Sequence, residues 1–593
     1  MKKSEKKRPK PYSAGQVRDD DIIFGGFDVE TEGLGGGLLS VQIAVMGDRE
    51  FFSGFDPAVM LATAFERMSR YPDPVVWYAF NAQYEWRYFL PWLLDSGYRL
   101  DIGMRTETDI YQIKVEVEGG LVIMRDAAAL FKPGTSLANF ADSFCPELPK
   151  LSIDIAHFNP TDPEHIDYAM RDVDILCAGM GRLDRLLKRH FCVGVGHTAA
   201  GTAMKGWQKT IPTGTYHNAS EWGDVEDFIR EGYYGGLVFL TRDDCLESCD
   251  DVPIAVTVDI NSSYPSVMCD FGVPDGQVIK SIDYESGVMG VYRVRVTAPE
   301  GLVIPILPAR NRRGDMRWQR GTFETVVTNR ELIFAVKQGY VVQDVLEGVA
   351  YDKVAFPFTD FIESCETIRK NYKGQTEEEL AKLMQNSLYG KFGSRRERCQ
   401  VFQVGDGEGL DDAMPLDIDS RLWVRSEFHD MMKTRPEWAV FITAHARLKL
   451  MQAAYSVGIE NVLYGDTDSL TVLNGAEQHL DIGPGYGQFK IEKKWRVFRA
   501  IAPKVYAGRL MDGEYKGAAK GLPKKGVGEL QWRELIANGV SSAKALSLSS
   551  LKVSLKKGAE PAQVLERFSS SLQNSVNFEK SLTTQIIIPK IAV

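Results

Sequence analysis

Asn461-Val462-Leu463-Tyr464-Gly465-Asp466-Thr467-Asp468-Ser469-Leu470-Thr471-Val472 is the stretch around which the rest of this 593-residue chain reads. Two apolar runs flank a Gly-Asp-Thr-Asp centre, the pattern of two strands joined by a tight turn. Side chains alternate across a strand, so Asp466 and Asp468 are expected to lean to one side. Two carboxylates held that close repel each other unless a divalent cation lies between them. Taken alone the stretch reads equally well as a solvated turn, where Asp and Thr are ordinary. The other segments decide between the two.

Composition sets outer bounds. Hydrophobic residues at 44% and charged residues at 25% are those of a soluble globular protein. The length exceeds what one core supports and implies three to five domains or subdomains. No run of about 18 apolar residues appears, so no membrane span is expected. Met1 to Lys10 is basic, has no apolar segment behind it, and reads as a solvated tail rather than a secretory signal. The eight cysteines are scattered, and Cys245 and Cys249 have no matching second pair, which argues against zinc and for free thiols in a reducing compartment. A net charge of −10 excludes a uniformly basic surface but leaves room for a local basic channel.

Working outward, Ile22-Ile23-Phe24-Gly25-Gly26-Phe27-Asp28-Val29-Glu30-Thr31 reads as a buried strand, with Asp28 and Glu30 on one face. A second apolar strand, Tyr78-Ala79-Phe80, runs into Asn81-Ala82-Gln83-Tyr84-Glu85 at a helix start. His165 to Met180 reads as a helix that puts Tyr168 and Asp172 on one face. Gly235 and Gly236, after Tyr233-Tyr234, permit close backbone approach to a ligand. Ala255-Val256-Thr257-Val258 is a β-branched strand delivering Asp259, followed by Asn261-Ser262-Ser263-Tyr264-Pro265. Glu377 to Tyr389 has a helical pattern that Gly390 is expected to stop. Its residues Lys382, Gln385, Asn386 and Tyr389 form one polar stripe, opposite Leu380, Leu383, Met384 and Leu388. A lysine on such a stripe suits a triphosphate. The cluster Arg310, Arg312, Arg313, Arg317 and Arg320 is either a solvated face or a grip on a nucleic-acid backbone or a partner.

In order, these segments resemble family B DNA polymerases. The first three strings are similar to the motifs of a DEDD-type 3′–5′ proofreading exonuclease. Asp259 to Pro265 resembles motif A. Leu380 to Phe392 (Leu-Ala-Lys-Leu-Met-Gln-Asn-Ser-Leu-Tyr-Gly-Lys-Phe) is close to motif B of the protein-primed bacteriophage subgroup. The resemblance implies an α/β multi-domain fold, with an RNase H-like DEDD exonuclease domain and a right-hand polymerase (palm, fingers, thumb) carrying two insertions. The boundaries expected are a basic tail 1–20, exonuclease 21–195, palm 196–270, an insertion 271–365 towards the priming protein, fingers 366–395, a second insertion 396–436 serving strand displacement and processivity, palm 437–529 and thumb 530–593.

Carried over residue by residue, the resemblance makes Asp28, Glu30, Glu85 and Asp172 metal ligands of the exonuclease. Tyr168 orients its water, and Lys150 stands where the subgroup has a catalytic lysine. Glu85 departs from the usual Asp by one methylene. Asp259 and Asp468 ligate two Mg²⁺ ions per active site (Mn²⁺ as a substitute), and Asp466 supports them. Lys382, Lys370, Asn386, Tyr389 and Tyr264 bind the incoming nucleotide, with Tyr264 excluding a 2′-hydroxyl. Tyr233, Gly235, Gly236, Ser136, Leu137, Asn81, Tyr84, Lys504 and Tyr506 contact DNA. The implied partners are template and primer DNA, deoxynucleoside triphosphates and a terminal priming protein. The chain is expected to be monomeric, away from membranes and in the cytoplasm, the host's if phage-encoded. Extension of ordinary primers, initiation without a primer, a chiefly exonucleolytic enzyme, and a binding scaffold with degenerate sites are the alternatives.

Overall fold

A computed structural model describes residues 22–570, leaving out 33–35, 72–74, 107–108, 132–133, 155–156, 212–223, 287, 312–313, 395, 404–412, 417, 430–434, 521–526 and 549–561. The basic tail, Arg312 and Arg313 therefore lie outside the described residues, as does much of the expected thumb. The chain forms two compact units, one of residues 1–202 with 398–427, the other of 203–397 with 428–593. No helix among the described residues is long and apolar enough to cross a membrane.

The first unit is built on a seven-stranded sheet. Its strands are β1 (Ile23–Thr31), β2 (Leu38–Val45), β3 (Asp48–Ser53), β4 (Val75–Ala79), β5 (Leu100–Thr106), β6 (Asp109–Val117) and β7 (Gly120–Asp126), in the order β3-β2-β1-β4-β7-β6-β5. β4 pairs in parallel with β1 and β7, and the outer pairs are antiparallel. Helices α1 (Pro57–Ser69), α2 (Trp86–Asp95), α3 (Leu137–Phe144) and α4 (Pro163–Phe191) complete the unit. The helix expected over 165–180 is almost twice that length. Asp162 accepts from Glu164 N, Pro163 takes the first turn, and buried Leu183, Leu186 and Leu187 carry the apolar face onward. Gly26 explains how α4 reaches β1, because a Cβ there would lie 2.6 Å from the Val173 carbonyl oxygen.

In the second unit, α5 (Ala199–Gln208), which spans the division, and α6 (Asp224–Glu231) precede the sheet strands β8 (Val238–Leu240), β9 (Leu246–Glu247) and β10 (Ala255–Ile260). α7 (Ser263–Asp270) follows, then the four-stranded sheet β11 (Val273–Lys280), β12 (Gly290–Thr297), β15 (Thr322–Thr328) and β16 (Val341–Ala355). A hairpin, β13 (Pro308–Arg310) and β14 (Met316–Trp318), and helix α8 (Asn329–Lys337) lie within that stretch. Next come α9 (Thr359–Asn371) and α10 (Thr376–Phe392). α10 passes through Gly390 instead of stopping there, because Phe392 is wholly buried among Trp207, Phe358 and Trp438.

β17 (Arg396–Gln403), β18 (Met414–Pro415) and β19 (Leu422–His429) form a small sheet, whose buried Leu416, Leu422 and Val424 belong to the first unit's core. The chain then returns through α11 (Pro436–Ser456), buried along nearly its whole length. β20 (Val462–Asp466), β21 (Ser469–Leu473), β22 (Phe489–Ala502), β23 (Val505–Leu510) and β24 (Tyr515–Ala519) complete a sheet of order β24-β23-β22-β10-β21-β20-β8, with β9 on β22. α12 (Glu529–Asn538) and an antiparallel hairpin, β25 (Val540–Leu548) with β26 (Ala562–Ser570), follow.

Candidate active sites

In the first unit, period-two spacing on β1 and one face of α4 bring three acids together. One carboxylate oxygen each of Asp28, Glu30 and Asp172 lie within 4.8 Å of one another, the one such group of three among the described residues. Burial, reinforced by the Asp172 charge and opposed by Lys150, lifts Asp28 to about 7. Burial, with Asp28 and Asp172 adding to it, lifts Glu30 to about 9. Acids that hold protons this firmly because they are buried and then crowd one another suit a hard divalent cation, and an all-oxygen donor set favours Mg²⁺ or Mn²⁺.

Lys150, from the loop after α3, points into this group. Its Nζ donates to Asp172 Oδ1 at 2.6 Å and stands 4.0 Å from the centre of the Tyr168 ring. Glu85 does not join the three. It sits at the start of α2, buried and hydrogen-bonded to Asp28, with its Oε2 unpartnered and its pKa well above the usual carboxylate range through burial and the Asp28 charge.

Sequence reasoning missed Gln42. This wholly buried side chain on β2 donates to Asp28 Oδ2 at 2.7 Å and is itself held by Ser40. A lone amide in the apolar run Ser40-Val41-Gln42-Ile43 was the available signal. Two DNA-contact candidates have structural partners, and a third opens a helix. Ser136 caps α3 in a reciprocal box with Asn139, Leu137 is the helix's first residue, and the Tyr84 hydroxyl meets Thr31 Oγ1. Asn81 turns at φ 67°, its amide donating to Asp126 Oδ1 at 2.9 Å.

The second unit holds the opening stretch. β20 and β21 pair with Asp466 opposite Ser469, so Thr467 and Asp468 are the two turn residues. Strand alternation therefore does not reach Asp468, and the two acids face different partners. Both Asp466 oxygens accept from Lys504 Nζ, at 2.9 and 3.0 Å. Asp468 is raised to about 6 by burial and then by the charge of Asp259, with Asp466 a smaller cause. Asp259 lies on β10 opposite Ser469 and beside Lys490 on β22, whose Nζ is 3.0 Å from Asp259 Oδ1. Sequence reasoning did not single out Lys490, because the contact depends on strand register.

Tyr264 on α7 and Tyr389 on α10 stack face to face, ring centres 4.1 Å apart and planes 10° from parallel. Both phenols feel the Asp468 charge, and burial raises both above the ordinary tyrosine range. Asn386 and Lys382 are exposed on α10, with Lys382 3.8 Å from Glu379, and Lys370 pairs with Glu366 at 2.7 Å. Gln385 is not part of the polar stripe. It is fully buried, because α10 packs that face against Ser262 and Tyr486.

The two glycines differ. A Cβ on Gly235 would meet nothing within 4 Å, whereas one on Gly236 would lie 2.7 Å from Thr467 Oγ1. The close approach expected of a ligand at Gly236 is thus made by the Asp466–Asp468 turn, whose Thr467 amide donates to Leu237 O at 2.8 Å. Arg447, in a buried ion pair with Glu331, donates to the carbonyls of Tyr234 and Gly235. Arg310 donates to Tyr233 O at 2.6 Å, Arg317 pairs with Asp315, and Arg320 reaches Val303 O, so the described part of the arginine cluster binds the chain itself. Tyr506 packs on Tyr464, Trp495 and Phe498.

Residues 159–415 match the family described as DNA polymerase type B, organellar and viral. Over those residues the chain is similar to type B DNA polymerases. Similar curated proteins include a probable DNA polymerase of Neurospora intermedia, 27% identical over 49% of this chain and 32% of that protein. The DNA polymerase of Bacillus phage phi29 is 27% identical over 53% of each chain, and that of Streptococcus phage Cp-1 is 22% identical over 74% of this chain and 78% of its own. The chain thus spans about a third of the fungal relative and half of the phi29 one. Among solved structures, phi29 DNA polymerase in an orthorhombic crystal form superposes with a TM-score of 0.71 at 17% identity, covering 93% of this chain and all of that one. The same polymerase with primer-template DNA and incoming nucleotides gives 0.71 at 18% identity, over 92% and 99%. The fold is that of phi29 DNA polymerase.

Proposed function

We propose that the chain is a DNA-directed DNA polymerase with a separate 3′–5′ proofreading exonuclease, starting synthesis on the hydroxyl of a terminal protein and displacing strands as it proceeds. The observation that carries the synthetic half is the Tyr264–Tyr389 stack, both rings within the field of an Asp468 that feels the charge of Asp259 more than that of any other group. Three strings distant from one another in sequence thereby bring acids and aromatic faces together.

Asp259 and Asp468 would hold two Mg²⁺ ions, which when bound acidify the attacking hydroxyl and neutralise charge on the transferred phosphoryl group. Lys382 and Lys370 sit exposed on α10 and α9, free to exchange Glu379 and Glu366 for a triphosphate. The Tyr264 ring closes the floor on which a sugar would lie. In the first unit Asp28, Glu30 and Asp172 would hold the metals of a hydrolytic site. Lys150 and Tyr168 would position the scissile phosphate and its water.

The support for protein priming is the string Leu380–Phe392 together with the likeness to phage phi29 and Cp-1 polymerases. On this reading the partners are template and primer DNA, deoxynucleotides and a terminal protein, met by a monomer in the cytoplasm. Incubation with labelled dATP, Mg²⁺ and a terminal protein should give a covalent protein–dAMP adduct. Extension of an ordinary primer without any adduct would remove the priming assignment and keep the polymerase. Failure on both substrates would remove the polymerase.

A further inference from the structure

Ser262 opens α7 at φ 50°, a left-handed conformation that a serine keeps only where its surroundings hold it. Its hydroxyl makes no cap to its own helix. Instead Ser262 Oγ accepts from Arg369 Nη1 of α9 at 2.8 Å and from Gln385 Nε2 of α10 at 3.4 Å. Arg369 Nη1 also reaches the Tyr486 hydroxyl at 3.3 Å, and that hydroxyl donates to Gln385 Oε1. The loop carrying Tyr486 is fastened to the residue before Ser262, since Asn261 N donates to Gln488 O and Gly487 N to Asn261 O, both at 2.9 Å. Four segments therefore meet at one serine oxygen.

Two features separate this knot from ordinary packing. No carboxylate pairs with Arg369 among the described residues, and its Nε is buried without a partner, so a cation is placed where ion pairing does not explain it. The knot also lies next to the aromatic stack in both chains of sequence. Tyr264 is two residues beyond Ser262, and Tyr389 is four beyond Gln385 on the same face of α10.

We propose that Arg369, Gln385 and Tyr486 are positioning residues that lock the Ser262 turn and thereby align Tyr264 with Tyr389, setting nucleotide affinity and sugar selection. None of the three touches a reacting atom. The inference rests on the nucleotidyl-transfer reading above. Hydrogen bonds to a charged donor commonly hold an equilibrium by about tenfold or more, so the loss of Arg369 should free the turn for an appreciable part of the time.

The test is steady-state incorporation of dATP and of ATP on a primed template by the full chain. It compares wild type with Arg369→Met, Arg369→Lys, Tyr486→Phe and Ser262→Ala, with melting temperature and single-strand degradation measured alongside. Arg369→Met is expected to raise the dATP KM and to lower the preference for deoxynucleotide by about tenfold, with kcat changed much less and degradation unaffected. Arg369→Lys should restore part of the preference. In a Ser262→Ala background Arg369→Met should add little, because the two share one bond. A lowered melting temperature with unchanged KM and sugar preference would overturn the proposal, leaving a structural role alone. Should Arg369→Met not fold, Tyr486→Phe, which removes one oxygen, decides on the same readouts. An inactive wild type would sink the polymerase reading and this assignment with it, whereas an active wild type whose variants keep its KM and sugar preference sinks only this one.

Discussion

Gly236→Ala should damage synthesis through a single methyl group. A Cβ there would stand 2.7 Å from Thr467 Oγ1, 2.9 Å from Cγ2 and 3.1 Å from Cβ. Ordinary contacts between such atoms are about 3.5–4.0 Å, so the turn has to retreat by roughly 1 Å. Forced overpacking of this kind costs about 1–3 kcal/mol, and Thr467 is already held at φ 61°, which costs a non-glycine residue about 1–2 kcal/mol. Because Thr467 separates Asp466 from Asp468, the displacement falls on the acids themselves. A misplacement of about 1 Å at a reacting centre commonly lowers rate by about a hundredfold. The assay is primer extension and single-strand degradation from one preparation, the second serving as an internal control for folding of the first unit. Gly235→Ala, with open space around its Cβ, should fold like wild type. The double variant Gly236→Ala/Thr467→Gly removes the clashing atoms and the strained φ together, and should recover most of the synthesis. A Gly236→Ala rate within twofold of wild type, or no recovery in the double variant, would refute the argument.

Asp468→Asn should abolish nucleotide incorporation and leave single-strand degradation, measured on labelled oligonucleotides; loss of both would speak against separate sites. Tyr264→Val should admit ribonucleotides, read as the ratio of dATP to ATP incorporation. In a chelator, stability should fall as pH rises from about 5 to 9. The folded chain keeps protons on Asp28 up to about 7 and on Glu30 up to about 9, while the unfolded chain releases them near 4. Each unit of difference is worth about 1.4 kcal/mol, so several degrees of melting temperature are at stake, and millimolar Mg²⁺ should flatten the profile. Lys490→Met removes the cation beside Asp259 and should tighten Mn²⁺ binding, followed by the paramagnetic resonance of the free ion without DNA.

The acids of the first unit were legible because their geometry is local. Alternation along β1 pairs Asp28 with Glu30, and a helical turn pairs Tyr168 with Asp172, so only the docking of α4 on β1 had to be supplied by the fold. Lys150 was readable by resemblance, but its bond to Asp172 depends on a loop no periodicity describes. Gln385 was misplaced because a helical stripe tells which side chains share a face, not what covers that face. Its amide looked solvent-facing until α10 met Ser262 and the loop around Tyr486. Gly236 was read as room for a ligand and proves to be room for Thr467, since a glycine marks a close approach without naming what approaches. Lys490 and Gln42 act across strands far apart in sequence, and a register between non-neighbouring strands leaves little local trace.

The small sheet β17–β19 has a bearing on how the protein comes into being. Its Leu416, Leu422 and Val424 complete a core begun by residues 23 onward, yet they are encoded after α10 of the other unit. A ribosome that has finished residue 202 must add about 225 more before the last of these arrives at residue 427, roughly 10–45 s at common elongation rates of about 5–20 residues per second. Through that interval the nascent seven-stranded sheet keeps an apolar flank uncovered. Fragments ending near residue 202 should inherit the same defect for good, and should need residues 398–427 added back in trans to become soluble.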